Sequence, residues 1–203
     1  MPKIKFTKTE LKNQQDAKKR YERFLPILQL KKQQLQQEVR QCADALSRNL
    51  EAQKQLELDL APSLGFFDDP ETAETVRELV KIERVETGEV NIAGINIPTF
   101  GETVFAPVKI DFFATEWFLD DVVEMMKKAV SLREEYRVLS TRHRLLAEEL
   151  ATTGQRVNLF EKVKIPECRE NIRRIGIMLG DAQTAAVARS KIAKKKNAAF
   201  ETE

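Results

Sequence analysis

Few side chains in this sequence are suited to acid–base or covalent chemistry. His143 is the lone histidine and stands between Arg142 and Arg144. An imidazole is the usual general base near neutral pH, but this one falls on the apolar stripe of a helix, where a structural or solvent-edge role is expected. Of the two cysteines, Cys42 and Cys168, the second adjoins Arg169, whose charge favours a thiolate. Both nevertheless occupy helix-stripe positions, where a thiol is inert. Two cysteines form no framework, which fits a reducing compartment. There is no G-x-x-x-x-G-K-[ST] loop, so a Walker-type nucleotide site is excluded, and no cluster has metal-ligand spacing. Acidic residues are spread among Lys and Arg along helix faces, the arrangement of solvated helices. No catalytic residue, metal or cofactor is therefore expected.

The basic residues are more suggestive. Lys18, Lys19, Arg20 and Arg23 lie near one end of the chain, and Lys191, Lys194, Lys195 and Lys196 near the other. If the two ends fold together, both sets reach one tip, and a basic tip can bind phosphates. No aromatic residues are interleaved with Lys191 to Lys196, so a solvated charged face is the plainer reading. Lys plus Arg number 34 against 32 Asp plus Glu, so any attraction has to come from such local clusters and not from the overall field.

The elements that position these residues are long helices. A charged fraction of 33% with 7 Gly and 7 Pro speaks against a large globular core. No apolar run nears the roughly 18 residues of a spanning helix, and the start MPKIKFTKTELKNQQ has no signal-peptide core. A soluble cytoplasmic chain that can still dock on a membrane-embedded partner is expected.

Stepping by four and three from Tyr21 gives Leu25, Leu28, Lys32, Leu35, Val39, Cys42, Leu46, Asn49, Gln53, Leu56 and Leu60. A mostly apolar seam held at that spacing is the heptad signature of a left-handed coiled coil. Asn49 and Gln53 interrupt it together, as residues that fix register do. Pro26 should kink this helix, and Pro62, Ser63 and Gly65 end it. A partner stripe runs through Leu132, Tyr136, Leu139, His143, Leu146, Leu150, Thr153, Val157 and Phe160. It then continues through Lys164, Cys168, Ile172, Ile175, Leu179, Ala182 and Ala186. The successive steps of four after Phe160 relax the supercoil beside Pro166. Setting Pro26 opposite Pro166 places Leu60 against Leu132 and Cys42 near Leu150, far from Cys168, so no disulfide joins the two.

Between the helices the periodicity changes. Val90 and Ile92, then Ile95 and Ile97, flank Ala93 and Gly94, which predicts two short strands joined by a tight turn, with Pro98 ending the second. Glu71 to Leu79, introduced by Asp68, Asp69 and Pro70, predicts a short helix. Phe100, Phe105, Phe112, Phe113, Trp117 and Phe118 supply a mini-core or an apolar contact surface. The expected fold is mainly α: a long antiparallel two-helix coiled coil with a small β-hairpin module inserted at the tip. Its parts are an N-terminal helix over 1–60, the module over 61–115 and a C-terminal helix with tail over 116–203.

Gly154 to Ile175, GQRVNLFEKVKIPECRENIRRI, resembles the C-terminal signature of the D-subunit family of V-type and archaeal A-type rotary ATPases. Arg156, Val157, Asn158, Glu161, Val163, Ile165, Pro166, Ile172 and Ile175 match as they stand. Gln155, Leu159, Phe160 and Cys168 depart from it without disturbing the stripe. Asn91 to Pro98 resembles the family's hairpin, and Leu30 to Leu35 its first helix.

The resemblance implies a non-catalytic rotor axle. Its coiled coil penetrates a ring of catalytic and regulatory nucleotide-binding subunits, the small F subunit binds along it, and the hairpin points toward the connecting subunit of the membrane rotor. Neither nucleic acid nor direct membrane insertion is expected. Lys18, Arg20, Arg23, Arg156, Arg189 and Lys191 are the expected contacts to acidic surfaces of the ring. Asn91, Ile92, Gly94, Ile95 and Ile97 are those of the hairpin. The competing readings are a coiled-coil scaffold or nucleic-acid-binding protein, which has no need of the block RVNxxEKVxIP, and an enzyme accessory domain using His143 and Cys168.

Overall fold

In a computed structural model of the chain, the described residues are 4–62, 70–107 and 119–200. Helix α1 spans Lys8–Leu60 and α2 Pro70–Leu79. Strands β1, Ile82–Ile92, and β2, Ile95–Phe105, follow. Helix α3, Leu119–Leu159, passes through a π-helical turn, Phe160–Lys164, into α4, Ile165–Phe200. Phe112, Phe113, Trp117 and Phe118 lie outside the described residues.

Local chemistry explains most boundaries. Thr7 caps α1, its hydroxyl accepting the Glu10 amide at 3.2 Å, which satisfies one of the donors a helix start leaves free. Every member of the seam from Tyr21 to Leu60 is buried or half-buried, so the heptad reading of α1 holds along its length. Helix α2 begins at Pro70, a residue whose fixed φ suits a first turn.

Two compact units divide the contacts: residues 1–31 with 152–203, and residues 32–151. In the 32–151 unit, α1 and α3 run antiparallel. Arg142 bonds Glu38 at 3.2 Å, the Cys42 thiol donates to the Leu139 carbonyl at 3.5 Å, and Asn49 donates to Glu135 at 2.8 Å. Gln53 reaches the Leu132 carbonyl at 3.4 Å. Leu132 thus lies beside Gln53 and not Leu60, and Cys42 beside Leu139 and not Leu150. The offset from the proline-matched register is about two to three helical turns. Two mid-helix prolines offer no attraction to one another, so matching them does not set a register.

From the tip the strands run back along the helices. Ile97 is fully buried with Leu35, Cys42 and Leu146, and Ile92, Ala93 and Ile95 pack on the same cluster. Leu35 lies roughly 37 Å along α1 from its end at Leu60, and an 11-residue strand covers nearly that distance, so the hairpin folds back along the helices. Its root lies by a second cluster, Val76, Leu79 and Val123, with Lys127 5.8 Å over the Phe105 ring.

The turn is the two-residue kind the spacing predicts, Ile92 pairing with Ile95. Ala93 and Gly94 both have positive φ, 52° and 84°, as a type I′ turn requires. Asn91 holds it, its carbonyl accepting the Gly94 amide at 3.1 Å while its amide donates to Asn96 at 2.7 Å. Pro98 does not end β2. It pairs with Glu89, which by the alternation counted from the turn is a pair that exchanges no ladder bonds, so its missing donor costs nothing there.

In the other unit, α1 runs antiparallel to α4 and the end of α3. Tyr21 and Phe160 stack with ring centroids 4.9 Å apart, Arg169 bonds Glu22 at 3.3 Å, and Asn171 donates to Gln14 at 3.4 Å. Thr153, Val157, Ile165, Cys168 and Ile175 are buried. The spacing expected to relax the supercoil is realised as the π turn, where the Ile165 amide bonds the Phe160 carbonyl, one residue beyond the α-helical partner. The stripe ends sooner than its spacing suggests: from Gly180 to Lys196 every residue of α4 is exposed, Ala182 and Ala186 included.

Candidate functional site

Among the described residues no three His, Cys, Asp or Glu side chains are grouped to hold a metal ion, and no helix is long and apolar enough to cross a membrane. His143 is half-buried on the seam. Both cysteines are free and buried. Burial pushes the Cys42 thiol up, outweighing the Arg142 charge beside it. Cys168 is raised by burial first and then by Glu167, against Lys164. The nearby Arg169, expected to favour a thiolate, turns instead to Glu22. What remains is surface, and surfaces contact partners.

The hairpin contributes less apolar surface than its sequence suggests. Ile97 is fully buried within the chain, and Ile92 and Ile95 are half-buried on the helix seam. Asn91 and Gly94 at the turn are exposed. The exposed stretch of β1 from Glu86 to Val90 carries Glu86 and Glu89, with Arg84 folded onto Glu86 at 2.8 Å, so the outward face is polar and acidic.

The basic residues do not gather at one tip. Lys18 is half-buried and pairs with Glu22 at 3.6 Å, while Arg20 and Arg23 are exposed on α1. Glu22 also meets Arg169, and Lys191 lies a further 33 Å or so along α4. With Gln14 beside Asn171, α1 is nearly used up by the time α4 reaches Leu179. Arg189 and Lys191 therefore lie on a helical overhang, and its run of alanines suits a helix that stands alone. Arg156 is exposed in the last turn of α3.

A set of exposed apolar side chains escaped the seam-based reading. Of the exposed large apolar side chains among the described residues, ten belong to the 1–31 and 152–203 unit: Phe6, Phe24, Ile27, Leu30, Leu159, Val163, Ile177, Met178, Val187 and Ile192. Only Leu50, Leu58 and Val90 belong to the other. Phe24, Ile27 and Leu30 were legible as apolar residues three apart that miss the heptad seam. Beside the π turn an open groove of ≈ 960 Å³ is lined by Phe6, Tyr21, Val163 and Cys168, with Glu10 and Lys164 among its polar residues. Lys164 bonds Glu167 at 3.2 Å, which holds its ammonium above the usual lysine range.

Residues 10–195 match the family of the ATP synthase D subunit. The chain is 40% identical over 195 residues to the V-type ATP synthase D subunit of Borreliella burgdorferi, covering 96% of this chain and 95% of that one. A protein of the same description from Chlamydia caviae is 32% identical over 193 residues, 95% of this chain and 93% of that one.

Proposed function

The chain belongs to the ATP synthase D-subunit family, and from that premise we propose that it is the central stalk of a V/A-type rotary ATPase. It couples ATP hydrolysis or synthesis in a ring of nucleotide-binding subunits to rotation and ion transport across a membrane. The chain itself is the stalk and not the catalytic subunit. Interlocked antiparallel helices resist bending and twisting better than one helix, which a torque-bearing part requires. A single asymmetric helix pair inside a ring also presents a different face to each site, and differential contact is what shifts conformational populations.

The observation that carries the finer reading is the concentration of exposed apolar side chains on the 1–31 and 152–203 unit. Water-facing phenylalanine, isoleucine and leucine in such number mark a surface that a partner covers. That unit is the part enclosed by the catalytic and regulatory subunits, with Arg20, Arg23, Arg156, Arg189 and Lys191 meeting acidic groups of the ring. A small rotor subunit binds along the helices, and a connecting subunit links the shaft to the membrane rotor, so the protein is peripheral to the membrane and on its cytoplasmic side. Purifying the tagged chain from cells should bring down the large nucleotide-binding subunits in excess over the chain, together with a small partner. Recovery of the chain alone, or with nucleic acid in their place, rejects the reading.

A further inference from the structure

An apolar heptad seam does not by itself choose a register. Moving one helix by seven residues returns leucine, valine or isoleucine to most seam positions, and the 58 residues between Leu60 and Leu119 are long enough to span the shift, at the cost of reseating Ile97 on Leu35, Cys42 and Leu146. Something else has to make the observed pairing unique. We infer that Asn49, Gln53 and Glu135, with the outlying pair Glu38 and Arg142, form a polar key that locks α1 and α3 in one register.

Asn49 is 5% exposed at a seam position, where an unpaired amide is disfavoured. Its amide donates to the Glu135 carboxylate at 2.8 Å, and its own carbonyl accepts from Gln53 at 2.6 Å. The same Gln53 nitrogen faces the Leu132 carbonyl at 3.4 Å. On one side of this group Arg142 meets Glu38 at 3.2 Å. A slip of one heptad separates all these partners at once. It carries Glu135 toward Leu56, which has no donor, or Cys42, whose thiol is only a weak one, and it brings Lys128 or Arg142 level with Asn49. The penalty falls on the slipped state, and that is how a buried polar residue specifies pairing. In a helix pair under torque, this converts a seam that tolerates sliding into one that holds its register, although the lock itself does not rest on the stalk assignment.

The test uses the full chain carrying Cys42→Ala and Cys168→Ala, with nitroxide labels at Arg40→Cys and Glu124→Cys, both exposed positions in the 32–151 unit and about 27 Å apart along the helix axes, so that a slip lengthens or shortens the distance between them. Pulsed electron spin resonance should give one distance in this parent. Adding Asn49→Leu, Gln53→Leu and Glu135→Leu should leave far-UV helicity intact and produce a second distance displaced by about 10 Å, one heptad of rise. The exchange of Asn49→Glu with Glu135→Asn keeps donor and acceptor and should return the single parental distance. A triple variant that stays helical at the parental distance overturns the lock, as does an exchange variant split like the triple. If the triple variant loses its helicity, Asn49→Leu alone decides by the same criterion, with a smaller second population expected.

Discussion

Ile97 is the residue on which the hairpin's position turns. Fully buried between Leu35, Cys42 and Leu146, it joins a two-stranded sheet that is too small to be stable alone to the helix pair. Ile97→Ala should lower unfolding free energy by about 2–4 kcal/mol, as for other large-to-small changes in a core. A urea titration followed by circular dichroism measures it; a loss under about 0.5 kcal/mol, typical of a surface change, means the hairpin is not seated. The thiols give a second prediction at this scale. Because burial raises both Cys42 and Cys168 above the ordinary thiol value of 9.0, the folded chain holds these protons longer than the unfolded one. Stability is unaffected by them below pH 9 and falls as pH rises beyond it. Ellman's reagent should modify both thiols slowly in native protein and rapidly in urea; fast native modification contradicts their burial.

At the scale of elements, the two mid-helix prolines differ in what the backbone does around them. Pro26 interrupts α1 without any break in its α-helical run, so the lost hydrogen bond and the ring's clash with the preceding turn are borne in place. Pro166 lies one residue, Ile165, past the π turn, whose wider loop already gives the ring room. Pro26→Ala should therefore stabilise the chain by about 1–3 kcal/mol, and Pro166→Ala by less. Equal gains in denaturation midpoint argue that the π turn serves the seam and not the proline. These elements also show what the sequence makes legible. Seam membership in α1 is readable because burial there depends on a local period, and Asn91 to Ile97 is readable because a turn with two positive φ angles restricts its residues. Register is not, since it compares residues about a hundred positions apart, and matching two prolines substitutes coincidence for contact. The fold-back of the strands is equally hidden: only the packing of Ile97 reveals it, and an isolated isoleucine in a strand does not say what it faces. Of the expected contact residues, Ile97 read as surface because its alternation marks a buried face without naming the burying partner.

At the scale of the whole molecule, the two units divide the work differently. The 32–151 unit packs most of its apolar side chains inward onto two clusters, and the exposed surface of its turn and of β1 from Glu86 is mostly polar. The other unit leaves ten large apolar side chains in water, the basis of its proposed enclosure by the ring. The hairpin tests this division, because it can be removed while the second unit is left unaltered. Replacing Glu89 to Phe100 with a short turn should uncover Leu35, Cys42 and Leu146 and lower the melting temperature, yet leave α1, α3 and α4 helical, since their own seam is untouched. In the assembled ATPase, the shortened shaft should still enter the ring, because none of the ten apolar side chains of the 1–31 and 152–203 unit is altered. ATP turnover or its coupling to ion transport should change, because the exposed turn around Asn91 and Gly94 is lost. Assembly with parental turnover and parental coupling restricts the hairpin to bracing the helices. Failure to assemble at all means that the surface by which the shaft is held lies in the 32–151 unit after all.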